Sequence, residues 1–460
     1  MKKSSKKIYS IFIILSLTFG IIFSILIPLY QVPDEETHLN LLYSYLGNDI
    51  DFSESVNDFG DTERIITNYN EKVNLDNYLN FNEKLNILDK INKIDIHIIR
   101  YFPQTIGILI SELFNLPVLI SVTISEFFSV IFYTIICLIT LKLMPVKKQT
   151  MMMIMLLPLC IQQMGSFSYD VVLISFSFLL ISYIFYLKYD KKEINIKDLI
   201  KLFSILLIIA LVKIPYVLLG LLVFILPKNK INLISKINKL YEKNKKIKLV
   251  ITLIIVISII NIITFKYLLK ISYIKALLAF IINPFDGIQL IIRTFKVNQL
   301  YYPMSIVGYF GWLDTPVSIW FLNFVVFCLL TVSILSKDTN KDNNTKNNLK
   351  IKERIYVLCL GIILSFIIVI SLYSWTLLYL GIDNSNLSII DYSKYFTYIR
   401  TVLGVQGRYF IPIIPLFLIP LDINIKIKKK KIILTLIQII YYIILFIYML
   451  LIILERYWIT

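Results

Sequence analysis

Long blocks of Ile, Leu, Phe and Val, nearly free of charge, recur along the chain and are divided by short polar stretches. Crossing a hydrocarbon layer of about 30 Å takes about 20 such residues in a helix. The blocks are therefore read as membrane spans rather than as faces of soluble helices. The pattern predicts crossings at 8–30, 117–143, 149–165, 168–188, 247–269, 317–336, 354–380, 409–421 and 432–454. That is an all-α polytopic integral membrane protein of about nine full spans. Residues 104–115 are too short to cross and are expected to lie in the interface or re-enter. Segment 201–226 is flanked by lysines on both sides and carries Lys213-Ile214-Pro215 at its middle. Proline breaks the helical ladder, so two half-helices meeting there are predicted, with both flanks on one side of the membrane.

Charge then orients the spans. The chain carries a net charge of +17, which by itself suggests an anionic partner such as nucleic acid. Its distribution excludes that reading. Lysines cluster beside apolar blocks, at Lys2, Lys3, Lys6 and Lys7, at Lys147 and Lys148, from Lys228 to Lys248, and from Lys426 to Lys431. This is the positive-inside pattern. It places the N-terminus inside and the C-terminus outside, in a bacterial cytoplasmic membrane. Residues 31–103 become a first outer loop, with 14 acids against 6 Lys and Arg, a net of about −8. Residues 270–316, with a short apolar stretch at 275–292, form a second outer region, and 381–408 a third loop. The whole chain, 1–460, is one membrane domain. Composition agrees, at 57% hydrophobic with a mean hydropathy of +0.75. Cys137, Cys160, Cys328 and Cys359 all fall in apolar segments, at spacings that fit neither zinc nor a disulfide framework. The first block is too long for a signal peptide and is read as a retained anchor.

Candidate chemistry gathers at the outer ends of spans. Pro33-Asp34-Glu35-Glu36-Thr37-His38 follows the first block. The plain reading is a helix start, with Asp34 as N-cap and the glutamates complementing the dipole. The functional reading is a set of carboxylates and an imidazole able to accept a proton or hold a divalent cation. Ser166-Phe167-Ser168-Tyr169-Asp170 forms a tight outer turn, which brings Asp170 to the same face. Gly311-Trp312-Leu313-Asp314 closes the second outer region, where aromatics either make an interfacial belt or stack on a sugar. Gln406-Gly407-Arg408-Tyr409 opens the penultimate block. Its arginine, either a snorkelling anchor or a phosphate fork, lies against the charge bias. Lys213 and Glu126 are ionisable residues inside apolar runs, where charge is costly and function the default explanation. For Glu126 a neutral acid hydrogen-bonded within the bundle explains the residue equally well.

Five motifs in order carry a resemblance: Pro33-Asp34-Glu35-x-x-His38, Ser166 to Asp170, Lys213-x-x-Tyr216, Gly311-Trp312-Leu313-Asp314 and Gln406-Gly407-Arg408-Tyr409-Phe410-x-Pro412. Together the chain resembles the membrane proteins catalogued as domain of unknown function 2142. That family is in turn similar to the GT-C glycosyltransferases, including the protein O-mannosyltransferases. The resemblance implies a GT-C-like bundle with half-helices and a large loop after the first span. It further implies transfer of a sugar from a polyprenyl-phosphate donor to a glycan or polymer acceptor, such as a cell-surface polysaccharide or teichoic acid, at the outer face. Asp34 is then the expected base, with Glu35 as substitute, and Asp170 and His38 orient the acceptor or a metal. Arg408 and Lys213 bind the donor phosphate, and Trp312, Asp314, Gln406 and Tyr409 contact sugar or interface. A divalent cation is left open, since GT-C enzymes exist with and without one. One position departs from the pattern: an arginine is expected near Ser125-Glu126, and Glu126 stands there. Two rival functions share the setting, a polymerase or ligase of lipid-linked glycans and a non-enzymatic transporter of lipid-linked sugar.

Overall fold

The computed structural model describes residues 2–46, 72–73, 94–227, 230, 272–336, 349–382, 387–422 and 429–459. The expected span 247–269, most of the first outer loop and the polar stretch 337–348 lie outside the described residues. Five helices are long and apolar enough to cross a membrane: Lys6–Leu26, Val118–Leu143, Asp170–Tyr189, Ile351–Tyr379 and Lys430–Tyr457. The pair Ile274–Ile282 and Pro284–Val297 passes the same test together but is bent by 116°. Its bend falls at Asn283-Pro284, where the proline has no N–H to continue the ladder.

In chain order, α1 is Lys2–Leu26, α2 is Glu35–Tyr45, and a 3₁₀ turn at Ile96–Tyr101 runs into α3, Phe102–Leu113. The crossing α4 is Val118–Leu143. Two of the predicted spans differ from simple helices. The block at 149–165 divides into α5, Lys148–Met155, and α6, Pro158–Met164, with Pro158 opening the second piece. The block at 409–421 is a 3₁₀ segment, Gly407–Ile413, followed by a short helix, Ile414–Leu418. Pro412 and Pro415 deny both stretches a continuous set of backbone donors. Proline was visible in both blocks, and hydropathy outweighed it in the sequence reading.

After α7, Asp170–Tyr189, the helix α8, Ile196–Val212, ends at the extended residue Lys213 and a 3₁₀ segment, Ile214–Ile225, leads back. Gly220 lies against Leu206, so the halves pack as a hairpin with Lys213 at its tip. Its two feet meet where the Ile194 N–H donates to the Lys230 carbonyl at 2.9 Å, and the end of α7 is tied to them, the Lys188 ammonium donating to the Ile225 carbonyl at 2.9 Å and Lys230 to the Lys188 carbonyl at 2.6 Å. A minor departure from an all-α fold is an antiparallel pair, Tyr309↔Pro316 and Phe310↔Thr315, around the Gly311-Trp312-Leu313-Asp314 turn.

Polar contacts sort the molecule into two ends. At one end Lys148 donates to the Tyr9 hydroxyl near the start of α1, at 3.0 Å. There Lys147 also reaches the carbonyls of Ser333 (2.5 Å) and Leu421 (2.9 Å), and Arg354 pairs with Asp422 at 2.9 Å. At the opposite end, the Trp458 indole donates to the Leu26 carbonyl where α1 stops, at 2.7 Å. The last helix, Lys430–Tyr457, therefore runs parallel to α1, and the described chain begins and finishes at opposite ends. Between the two ends the core is apolar and joined by short hydroxyl contacts such as Ser16–Thr134 at 2.7 Å, the kind of interhelical bond that holds membrane helices together.

Candidate functional site

The end far from the lysine clusters brings together residues from four parts of the sequence. The chain leaves α1 through a turn in which Tyr30 (φ 60°) and Asp34 (φ 70°) are both left-handed. Such backbone costs about 1–3 kcal/mol per residue and persists where the surroundings enforce it, commonly at functional sites. Asp34 occupies the N-cap position of α2 but makes no capping bond. Its carboxylate pairs with the Arg408 guanidinium instead. Arg408 also donates through Nη1 to the Pro33 carbonyl at 3.2 Å and faces Asp170 through Nε, with Nε to Oδ2 at 3.5 Å. The arginine is thus set between two acids of different character. Asp170 is buried at 3% side-chain exposure, while Asp34 is half exposed at 50%. Among the described residues Nε makes no hydrogen bond.

Arg408 is held there by close backbone packing. A Cβ at Gly407 would stand 2.1 Å from the Ser305 carbonyl carbon, so only glycine lets these segments meet, and the Gly407 N–H donates to Ser305 Oγ at 2.8 Å. The tip of the α8 hairpin completes the cation group. Lys213 Nζ lies 3.8 Å from the Tyr409 ring centroid and 6.0 Å from that of Tyr169, cation–π distances. Tyr216 anchors the hairpin by donating to the Tyr409 carbonyl at 2.6 Å, and Arg100 donates to the Leu211 carbonyl at 2.8 Å.

His38, also predicted for the site, is buried against it. Its Nδ1 shares a 2.8 Å hydrogen bond with the Tyr101 hydroxyl, and its ring meets Tyr169 edge-on at 4.7 Å. Burial lowers its pKa to about 3, helped by the positive charge of Arg408 and opposed by Asp34, so the imidazole is neutral at ordinary pH. Among the described residues Nε2 has no partner. It is an acceptor or a donor according to the tautomer set by Tyr101.

Glu35 occupies a different position from Asp34. It is buried, its Oε1 accepts the Phe167 N–H at 2.8 Å and its Oε2 the Val32 N–H at 3.4 Å. A further hydrogen bond joins it to the buried Glu126, which requires one proton between the two carboxyls. Burial pushes the Glu35 carboxyl up to about 7, against the lowering effect of these donors. These bonds tie the α2 start to the turn before Asp170. Gln104 supports the same turn by donating to the Ser168 carbonyl at 2.8 Å.

Asp314 and Trp312 stand aside from this cluster. Asp314 is paired with Arg456 of the last helix, Nη2 to Oδ2 at 2.7 Å and Nε to Oδ1 at 3.3 Å, and accepts from Thr315 at 2.7 Å. Gly311 is left-handed at φ 60°, and a Cβ there would lie 2.0 Å from the Asp314 carboxylate. The motif is a clamped turn. Trp312 donates to the Tyr30 carbonyl at 2.8 Å, steadying the strained turn before Asp34, and keeps 48% of its surface exposed.

Three cavities near the cluster share lining residues. An apolar groove of about 320 Å³ is lined by Phe295, Tyr302, Ile306, Phe410 and Phe417. It shares Asn298 and Tyr302 with a more polar cavity of about 270 Å³ that reaches Gly404 and Gln406. That cavity shares Leu313 and Gln406 with a narrow crevice ending on Arg408 and Pro33. The crevice is lined further by Gln162 and Gln163. The sequence reading did not single these out, although two adjacent amides inside an apolar block are a signal of the kind intramembrane polar groups give. Tyr101 and Arg456 carried no local signal, because their contacts arise only from long-range packing. Among the described residues no three His, Cys, Asp or Glu side chains converge as a metal site would need. Between Asp34 and Asp170 stands a guanidinium.

Fold and site together define a polytopic α-helical membrane protein with a buried arginine–aspartate centre at one end. The chain belongs to the family described as "Predicted membrane protein (DUF2142)", which matches residues 17–417. No curated protein and no solved structure matches it.

Proposed function

We propose that the chain is a GT-C-type glycosyltransferase that moves a sugar from a polyprenyl-phosphate donor to a glycan or polymer acceptor. The observation that carries the reading is the Arg408–Asp34 pair, in which a buried fork suited to phosphate holds a half-exposed carboxylate suited to a proton. A donor phosphate arriving at Arg408 competes with Asp34 for the guanidinium. Once displaced, Asp34 takes the proton of the acceptor hydroxyl. The hydroxyl oxygen forms its bond to the anomeric carbon as the bond from that carbon to the phosphate oxygen breaks. The electron pair leaves with the polyprenyl phosphate, whose charge is met by Arg408 and Lys213. The apolar groove, which shares Asn298 and Tyr302 with the polar cavity, suits an amphiphilic donor, with the tail in the groove and the head toward Arg408. Tyr409 shields the cations, and Gln406 lines the route.

In the same reading the lysine-rich end faces the cytosol of a bacterium and the site faces outward. About nine crossings result, several of them broken or short, with the α8 hairpin reaching across from inside. A transporter would concentrate its charges near the bilayer midplane, whereas these gather at one end. The test is sugar transfer from a short-chain lipid-linked donor by purified protein in proteoliposomes. Asp34→Asn is expected to lower turnover about 10²–10⁴-fold at an unchanged folded fraction. Wild-type turnover in Asp34→Asn would remove the carboxylate from the mechanism.

A further inference from the structure

The crevice beside Arg408 contains more polar chemistry than its own walls use. Gln162 and Gln163 lie on α6, and each is 1% exposed. With Leu159 they occupy positions i, i+3 and i+4 of a helix and so present one face to the crevice. Among the described residues Gln162 Nε2 and Gln163 Oε1 have no hydrogen-bond partner. Reversing an amide still leaves an atom at that position without a partner, with donor and acceptor exchanged. An unpaired buried amide destabilises a fold unless something else uses it, and here there are two on one helix, in a crevice also lined by Arg408. Ser305, Tyr309 and Gln406 complete the lining.

The crevice itself has room for about one water, roughly 10 Å³. It shares Leu313 and Gln406 as walls with the 270 Å³ cavity, which is lined further by Asn298, Tyr301, Tyr302 and Thr401. A cavity of that size with two tyrosine rings, an amide and a hydroxyl has the composition of a site for a hydroxylated ring. From these observations we infer that Gln162 and Gln163 are sugar-recognition residues: a pyranose seated in the cavity places one hydroxyl in the crevice, where the two amides bind it. The hydroxyl both donates and accepts, so it can pair with the Gln162 amide N–H and the Gln163 amide oxygen as these are assigned. The inference rests on the donor reading of Arg408 and names what selects the transferred sugar.

The test compares binding of a bare short-chain isoprenyl phosphate with that of its glucosyl, mannosyl and N-acetylglucosaminyl derivatives to the purified full chain. Wild type is expected to favour one glycosylated form over the bare phosphate by about tenfold or more, as sites built to bond a hydroxyl do. Gln162→Leu and Gln163→Leu are each expected to lose most of that preference while binding the bare phosphate as wild type does. Their thermal stability is expected to stay level or rise, since an idle buried amide is removed; a purely structural pair of amides would show a fall instead. Failure of wild type to bind the bare phosphate overturns the donor reading and this inference with it. Binding of the bare phosphate with no gain from any of the three sugars, or with a gain that both leucine variants retain, overturns the glutamine subsite alone.

Discussion

Two arginine–aspartate pairs stand at the same end of this molecule, and they do different things. Arg456 grips Asp314 through both Nε and Nη2, and Thr315 takes a further share of the same carboxylate. The aspartate belongs to a turn that only Gly311 can make. Such a pair closes a loop. Arg408 is spread over Asp34, Asp170 and the Pro33 carbonyl, its Nε meets Asp170 as an ion pair without a hydrogen bond, and its main partner is half exposed and strained. Such a pair can be opened by a competing anion. Two interactions of identical chemistry are thus separated by how their donors are shared, two on one carboxylate for Arg456 and spread over three groups for Arg408, and by the crevice that reaches Arg408.

Substitution should separate the pairs most clearly in donor handling. Arg408→Lys keeps the charge and loses the planar fork. The loss of one charge-assisted bond, about 1.5–3 kcal/mol, predicts a 10- to 150-fold rise in the donor Michaelis constant at saturating acceptor. Donor kinetics like those of wild type would make Arg408 an anchor of the same kind as Arg456. Arg456→Met should act on folding instead, by about 3 kcal/mol, near the lower end for removing one partner of a buried pair because Asp314 keeps some contact with solvent. Thermal unfolding in detergent measures this, and turnover per folded molecule should be kept.

A smaller effect sharpens the contrast between neighbours. Glu35→Gln should weaken the tie to Phe167 by about 1–3 kcal/mol yet leave transfer per folded molecule close to wild type. A large loss of turnover in that variant, with stability intact, would move the base from Asp34 to Glu35.

His38 offers the smallest and most specific readout. Its folded pKa, about 3, is below the ordinary 6.5. The unfolded chain therefore binds the extra proton between those values, and stability falls as pH is lowered from 6.5. One proton over that range to pH 5 amounts to about 2 kcal/mol. His38→Gln should flatten this part of the profile, and an unchanged slope would show that the imidazole is not held neutral.

Much of this was legible in the sequence, and the reasons are physical. The positions of the five long apolar helices followed from hydropathy, and the break at Lys213 from its proline, because both effects are local. Asp34, Asp170, His38 and Arg408 were each picked from position relative to a span, and the structure brings them together. Asp314 and Glu35 were picked by the same logic and are occupied elsewhere, since their partners, Arg456 and the Phe167 N–H, lie 142 and 132 residues away. Residue type marks what a side chain can bond. Only the fold decides what it does bond, and therefore which groups remain idle.

The most direct measurement is the affinity of the bare isoprenyl phosphate, taken side by side on wild type, Arg408→Met and Arg456→Met at matched folded fractions. The account predicts that Arg408→Met loses at least about tenfold in affinity while Arg456→Met binds as wild type does. Equal affinity across all three proteins, or a loss confined to Arg456→Met, would contradict it.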